Sequence, residues 1–323
     1  MSRTWAATVG AATIAFAGCG GSSSSVRTPT VVVVQSVTAS ATATATTPKP
    51  RPKPKPAVPA FPKLLPAATK PGASGFVPAI SWRGSTAAWV ARTGSGLALL
   101  SFNQQLVKLR LHAGAADPGG SGWRFGASVV GAERARLVAA FNGAFKLSTG
   151  SGGFESYGHV GAPLQSGLAS IVTYSDGNTD IGTWHHEVPA PGHNVVSVRQ
   201  NLSPLIDNGR PASNIDCVQC WGATLGGVSD PARAALGITG HRRLIWVAGE
   251  NVTVSDLANA LLAAHVVRAV ELDINPEWVA GYLYGHRGGH GPLAPVPVLS
   301  SQQGIPGQFM EPWSRDFFTL EAR

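Results

Sequence analysis

The first 75 residues contain no aspartate or glutamate, yet eight basic residues fall there: Arg3, Arg27, Lys49, Arg51, Lys53, Lys55, Lys63 and Lys70. The whole chain carries a net charge of +8, with 25 Lys and Arg against 17 Asp and Glu, so beyond residue 75 the two signs balance. The basic character therefore belongs to the N-terminal segment. It excludes a nucleic-acid-binding domain and points that segment toward anionic wall polymer or lipid headgroups. Cysteine is equally scarce, with only Cys19, Cys217 and Cys220. A single Cys-x-x-Cys with no second pair and no thioredoxin-like surroundings does not make a zinc ribbon or a redox centre. No internal repeat is present, and no cluster of carboxylates specifies a metal. Helical signals are few.

What is present begins with a targeting segment, residues 1–19. Arg3 supplies the positive end, and Ala6 to Phe16 forms an apolar stretch too short to span a bilayer as a mature helix. Phe16-Ala-Gly-Cys19 resembles a bacterial lipobox, which makes Cys19 the lipidation site; an ordinary secretory signal is the alternative. Both place the protein outside the cytoplasm, lipid-anchored to a membrane in the first case and secreted in the second. Residues 20–75 read as a disordered stalk. Gly20-Gly-Ser-Ser-Ser-Ser25 is flexible, and Pro48-Lys-Pro-Arg-Pro-Lys-Pro-Lys-Pro56 is extended, stiff and cationic. Such a segment buries too little to offset its ordering entropy.

Residues 76–323 have the length of one domain. Strand signals dominate: Ala87 to Ala91, Leu97 to Phe102, Leu106 to Leu111, Leu137 to Phe141, Ala169 to Tyr174, Thr179 to Trp184, Val195 to Gln200, Arg243 to Val247 and Val266 to Ile274. Asp176-Gly177 sits at the turn of a hairpin. Helices are expected at Gly131 to Ala139 and Thr253 to His265, the latter opened by the capping box Thr253-Val-Ser-Asp256. The pattern predicts an α+β single domain on a mixed β-sheet with few helices. Cys217 and Cys220 in an oxidising compartment read as a local disulfide, with zinc held with His241 or His193 as the lesser alternative.

The chain's organising stretch is Val266-Val-Arg-Ala-Val-Glu-Leu-Asp-Ile-Asn-Pro-Glu-Trp278. Val270, Leu272 and Ile274 alternate with Ala269, Glu271 and Asp273, so one face is apolar and the other carries two carboxylates. Asn275-Pro276 ends the strand, since proline cannot donate to a ladder. Two acids and Trp278 at a strand end point to a site, against the plainer reading of solvated residues on an edge. His286 and His290 lie in Gly285-His-Arg-Gly-Gly-His-Gly291, read as a mobile, substrate-facing loop.

Five blocks in order resemble one family: Leu137-Val-Ala-Ala-Phe-Asn-Gly-Ala-Phe145; Gly161 to Ser170 with Asp180 to Trp184; Gln200-Asn-Leu-Ser-Pro-Leu-Ile-Asp-Asn-Gly209; Arg233-Ala-Ala-Leu-Gly-Ile-Thr239; and Glu271-Leu-Asp-Ile-Asn275. The family is the phosphodiester glycosidase domain, related to N-acetylglucosamine-1-phosphodiester α-N-acetylglucosaminidase. The resemblance implies hydrolysis of a sugar joined through its anomeric carbon to a phosphodiester, in a wall or phosphoglycan substrate. A phosphate leaving group needs little protonation, so one carboxylate suffices where ordinary glycosidases use two. On this reading Asp273 is the catalytic carboxylate with Glu271 second, and Arg233 forks onto the phosphate. Asn142, Gly143 and Asn208 bind sugar, with Glu277 and Trp278 beside them. No cofactor or metal is expected. The alternative is a non-catalytic lipoprotein of the same fold that binds anionic glycan. The family continues from its aspartate into Asp-Gly-Gly-Gly-Ser, whereas here Asp273 leads into Ile-Asn-Pro-Glu-Trp278, and Ala144 replaces the second glycine of Asn-Gly-Gly-Phe. These departures imply a changed substrate, recruitment of Glu277, or lost catalysis.

Overall fold

The described strands pair almost entirely antiparallel, and most of the longer ones are buried on both faces. The computed structural model describes residues 61–68, 75–222, 231–305 and 307–323, all within the unit Lys55–Arg323. The targeting segment, Cys19 and the stalk before residue 61 lie outside the described residues. The strands of the first half are β1 (Lys63–Leu64), β2 (Val77–Trp82), β3 (Ser85–Arg92), β4 (Ala98–Asn103), β5 (Val107–His112), β6 (Leu137–Asn142), β7 (Phe154–Ser156), β8 (His159–Ala162), β9 (Ala169–Tyr174) and β10 (Thr179–Thr183). Those of the second are β11 (Val195–Gln200), β12 (Ile206–Asp207), β13 (Arg210–Pro211), β14 (Arg233–Thr239), β15 (Arg243–Gly249), β16 (Val266–Ile274), β17 (Gly281–His286), β18 (Leu293–Pro297) and β19 (Phe317–Ala322). The helices are α1 (Ala132–Arg136) and α2 (Val254–Ala263).

Fourteen strands form one sheet in the order β13-β12-β16-β14-β15-β4-β3-β2-β1-β17-β6-β19-β5, with β18 added on β17. The β1–β17 pair is parallel, so the sheet is mixed, as the sequence implies. A second sheet runs β10-β9-β11-β7-β8. Seven strands separate β16 from β6 in the large sheet, yet Asp273 N donates to Gly143 O at 2.8 Å. The sheet therefore curls until its distant parts meet, the usual recourse of a strongly twisted sheet of this width. Inside the curl Phe102, Phe141, Leu236, Trp246, Leu272 and Phe318 form one buried cluster. Gly281 is required there, because a Cβ would lie 2.4 Å from the Trp246 ring.

Helix α2 begins at a capping box in which Thr253 and Asp256 bond each other's backbone N–H. Its Val254, Leu257, Ala258 and Leu261 pack with Ala235, Val247 and Ala269 of the sheet. The expected hairpin forms β9 and β10, and Gly177 takes the left-handed conformation at its turn (φ 84°).

Four expectations change. Residues 61–68, assigned from sequence to the stalk, belong to the domain: Lys63–Leu64 pairs with β2 and β17, and Phe61 stacks on His286 at 4.5 Å. The helix expected to Ala139 stops at Arg136, because Leu137 onward is buried and joins the sheet. His286, expected in a loop, instead ends β17, is buried, and bonds Gly291 O at 2.7 Å, while Arg287–Gly289 form a short helical turn with His290 exposed beyond it. Strands β2, β14, β17 and β19 had no counterpart among the expected strands. Among the described residues no helix is long and apolar enough to cross a membrane.

Candidate active site

The site forms where the curl brings β16 against the end of β6. Both faces of β16 are buried there, so Glu271 and Asp273 are interior groups and not solvated residues on an edge. Asp273 Oδ2 accepts from Arg315 Nη2 at 2.8 Å, and its Oδ1 accepts from the Ile274 N–H at 2.9 Å. Burial raises its carboxyl from 3.8 to about 7, against the pull of Arg315. Arg315 is fixed in turn by a bond to Ala144 O at 3.0 Å and by Asp117 at 3.4 Å, and its guanidinium lies 5.1 Å from the Trp278 ring centroid.

Two further ion pairs stand behind this one. Arg199 on β11 meets Asp316 through Nε–Oδ2 at 2.9 Å and Nη2–Oδ1 at 3.1 Å, and it also donates to Phe145 O. Asp316 receives the Ala144 N–H through Oδ2 and the Gly143 N–H through its carbonyl. Arg233 Nη1 meets Glu271 Oε1 at 2.7 Å and donates to Trp221 O at 2.9 Å. Burial pushes Glu271 up to about 8 although Arg233 opposes it. Charges buried in this way persist only when paired and hydrogen-bonded. The Arg315–Asp273 and Arg199–Asp316 pairs clamp the turn Gly143-Ala144. Gly143 fits because nothing larger can: a Cβ would lie 2.2 Å from Asp316 Oδ2.

A cavity of about 590 Å³ opens over Asp273. Lys146, Arg315, Ser151, Asn275, Trp278 and Gly222 are on its wall. Asp273 is the single carboxylate there among the described residues. Asn275 has φ 88°, a backbone conformation Asn tolerates better than most residues and one glycine would take freely. The disulfide Cys217–Cys220 exists (Cα–Cα 5.4 Å) and holds a short helical turn, Val218–Trp221, whose Cys220 borders the cavity. Among the described residues no group of three metal-ligating side chains occurs.

The expected residues separate accordingly. Asn142, Arg233, Glu271 and Asp273 do come together, since Arg233 pairs in register with Ile274 and Asn142 precedes Gly143. Of the residues expected to act on or bind substrate, only Asp273 and Trp278 reach the cavity. Arg233 is 1% exposed, committed to Glu271 and a carbonyl, and is not on the cavity wall. The cations that face the cavity are Arg315 and Lys146. Asn142 is buried with its Nδ2 on Gly143 O. Asn208-Gly209 is a hairpin turn joining β12 to β13, exposed, with Gly209 bonded to Val267 O. Six residues along β16 separate that point from Asp273, about 20 Å of strand, which removes Asn208 from the site. Glu277 is exposed and faces an adjoining cleft with Trp278.

Sequence reasoning missed Lys146, Arg199, Arg315 and Asp316. The signal for the last two was a charged doublet ahead of the apolar run Phe317-Phe-Thr-Leu320, the mark of a strand entering a buried layer. Lys146 directly follows the Asn-Gly-Ala-Phe turn.

No protein-family model matches the chain, and no curated protein matches it. Among solved structures, it is similar to the zebrafish N-acetylglucosamine-1-phosphodiester α-N-acetylglucosaminidase catalytic domain auto-inhibited by its pro-peptide: 15% identity over 77% of this chain and 81% of that one, TM-score 0.43. It is also similar to a hypothetical protein from Synechocystis, with 13% identity over 76% of this chain and 65% of that one, TM-score 0.37. At these values the likeness is distant, and nothing about the site follows from it.

Proposed function

We propose that the chain is a hydrolase that cleaves a sugar-1-phosphodiester, with the glycosyl unit in the cavity over Asp273. The carrying observation is the cavity's charge arrangement: among the described residues one carboxylate, Asp273, and two cations, Lys146 and Arg315, line it. Two cations fit a phosphodiester anion: Lys146 is exposed at the cavity, and Arg315, held by Asp273, Ala144 O and Asp117, adds its fixed charge beside it. A phosphate monoester departs without a proton, so a second carboxylate is not required. The bond between the anomeric carbon and its oxygen breaks, the electron pair leaves with the phosphate, and water adds to the carbon, its released proton passing to the phosphate monoester or to solvent. Ionised Asp273 stabilises the positive charge at that carbon or attacks it directly. Arg233 and Glu271 position the wall behind it and do not touch substrate. The family resemblance of the five sequence blocks supports the same reaction class.

The natural setting proposed is the outside of a membrane, with Cys19 lipidated and the basic stalk crossing anionic wall polymer toward a phosphoglycan. The disulfide suits that oxidising compartment. The test is release of free sugar from an α-N-acetylglucosaminyl phosphodiester by the purified chain. Release is expected, with loss of at least a hundredfold in Asp273→Asn and no change in Asn208→Ala. Binding without turnover, unaffected by Asp273→Asn, would leave a glycan-binding module instead.

A further inference from the structure

Trp278 borders two depressions. One is the cavity over Asp273; the other is a cleft of about 440 Å³ that also contains Glu277, Gln303, Gln308 and Trp313. The indoles of Trp278 and Trp313 meet edge to face, with centroids 5.9 Å apart and planes at 68°. Trp313 is braced from behind by Phe309 at 6.1 Å. Trp278 is held by Arg315, the residue that binds Asp273. Both rings are therefore fixed and half-buried, which is what a stacking surface needs.

Gln308 is only 4% exposed, yet neither its Oε1 nor its Nε2 has a hydrogen-bond partner. A buried carboxamide left unpaired is unfavourable, so such a group is retained where something else completes its bonds. Space has been kept for it: a Cβ at Gly304 would lie 1.7 Å from Gln308 Oε1. Gln303 and Glu277 stand exposed at the rim. The cleft has no cation among its described residues and one carboxylate, the reverse of the cavity on the other side of Trp278.

We infer that this cleft is a second sugar subsite, which takes a neutral hexopyranose unit on Trp278 and Trp313 with its hydroxyls on Gln308, Gln303 and Glu277. An aromatic surface beside amide and carboxylate groups matches a sugar's apolar face and its hydroxyl rim. The charge division sets the direction of the substrate: phosphate toward Lys146 and Arg315, uncharged glycan toward Glu277. The substrate is then an extended glycan and not a lone sugar phosphate. That direction rests on the proposed phosphodiester reaction; the subsite itself does not. The cleft is built from Glu277 and Trp278, the residues at which this chain leaves the glycine-rich pattern of the family it resembles.

The test titrates the full chain calorimetrically with maltotriose, cellotriose, mannotriose and triacetylchitotriose. At least one is expected to bind, and binding is expected to fall at least tenfold in Trp313→Ala and in Gln308→Ala, with Asn208→Ala, at the far β12–β13 turn, unchanged. Should Trp313→Ala fail to fold, the surface double variant Glu277→Ala, Gln303→Ala decides, with the same weakening expected. Absence of binding by all four sugars, or equal binding by the folded variants, overturns the inference. Trisaccharide binding without phosphodiester cleavage upholds the subsite and removes the catalytic reading; cleavage without trisaccharide binding does the reverse.

Discussion

Replacing Arg315 by Met should destabilise the protein in a way that depends on pH, and the dependence can be worked out. In the folded protein the Asp273 carboxyl lies at about 7, against 3.8 for the free side chain. That difference corresponds to roughly 4 kcal/mol disfavouring the ionised, buried form. The folded state holds a proton here that the unfolded state has lost between about pH 4 and 7, so wild-type stability falls as pH rises through that window and levels off above it. Arg315 lowers the folded value. Without it the value moves above 7, and the fall continues to higher pH. The variant and wild type should thus differ by a constant amount below pH 7, about 1–2 kcal/mol for the bonds lost to Ala144 O and Asp117. Above pH 7 the gap should widen by up to about 1.4 kcal/mol per pH unit. Breaking a buried pair from one side typically costs about 3–5 kcal/mol in all. Glu271 titrates nearby but keeps Arg233 in both proteins, so it adds to the gap only through its coupling to Asp273, the smallest of its influences. Urea unfolding followed by far-ultraviolet circular dichroism at pH 6 and pH 8.5 reads the gap directly. In an Asp273→Asn background the pH dependence of the gap should vanish. An equal gap at both pH values in the wild-type background would refute the placement of a titrating Asp273 against Arg315.

Three further outcomes are expected. The kcat/KM for a sugar phosphodiester should rise with pH through about 7, since Asp273 acts ionised, and Arg315→Met should shift the inflection upward; a profile flat from pH 5 to 9 would contradict that role. Gly143→Ala should destabilise by about 1–3 kcal/mol in urea unfolding and lower turnover, because the new Cβ meets Asp316 at 2.2 Å and displaces the turn on which Asp273 leans. Removing the Cys217–Cys220 bridge with serines should cost about 2 kcal/mol of stability from its small loop and raise KM more than it lowers kcat, since Cys220 lies on the cavity rim; kinetics and thermal unfolding of the double variant check both.

Much of this was legible in the chain itself, and the boundary is physical. Runs rich in Val, Ile, Thr and Tyr marked β9 and β11 to within a residue, and alternation marked β16. Thr253 and Asp256 announced α2, since capping is satisfied within four residues of chain. The Cys-x-x-Cys spacing, taken with an expected oxidising compartment and no second pair, foretold the disulfide, and the carboxylates of β16 foretold the region of the site. All these features depend on neighbours in sequence. Strand β14 escaped because Arg233-Ala-Ala-Leu-Gly-Ile-Thr239 carries a charge, small residues and a glycine, and it is a strand through its neighbours β15 and β16. Strand β19 escaped for the same reason: Phe317-Phe-Thr-Leu-Glu-Ala322 has no clean alternation when both faces are buried.

The sequence by itself determined that a sheet-rich domain would carry Asp273 at the end of a buried strand. Tertiary structure alone decided what Asp273 faces. The curl that joins β16 to β6 brings Arg315, Lys146 and the Arg199–Asp316 pair to it from distant parts of the chain, turns Arg233 inward onto Glu271, and leaves Asn208 at a far turn. Local pattern fixes which face of a strand is buried. It does not fix which other strand a wide, twisted sheet will bring against that face, since this depends on packing summed over the whole sheet.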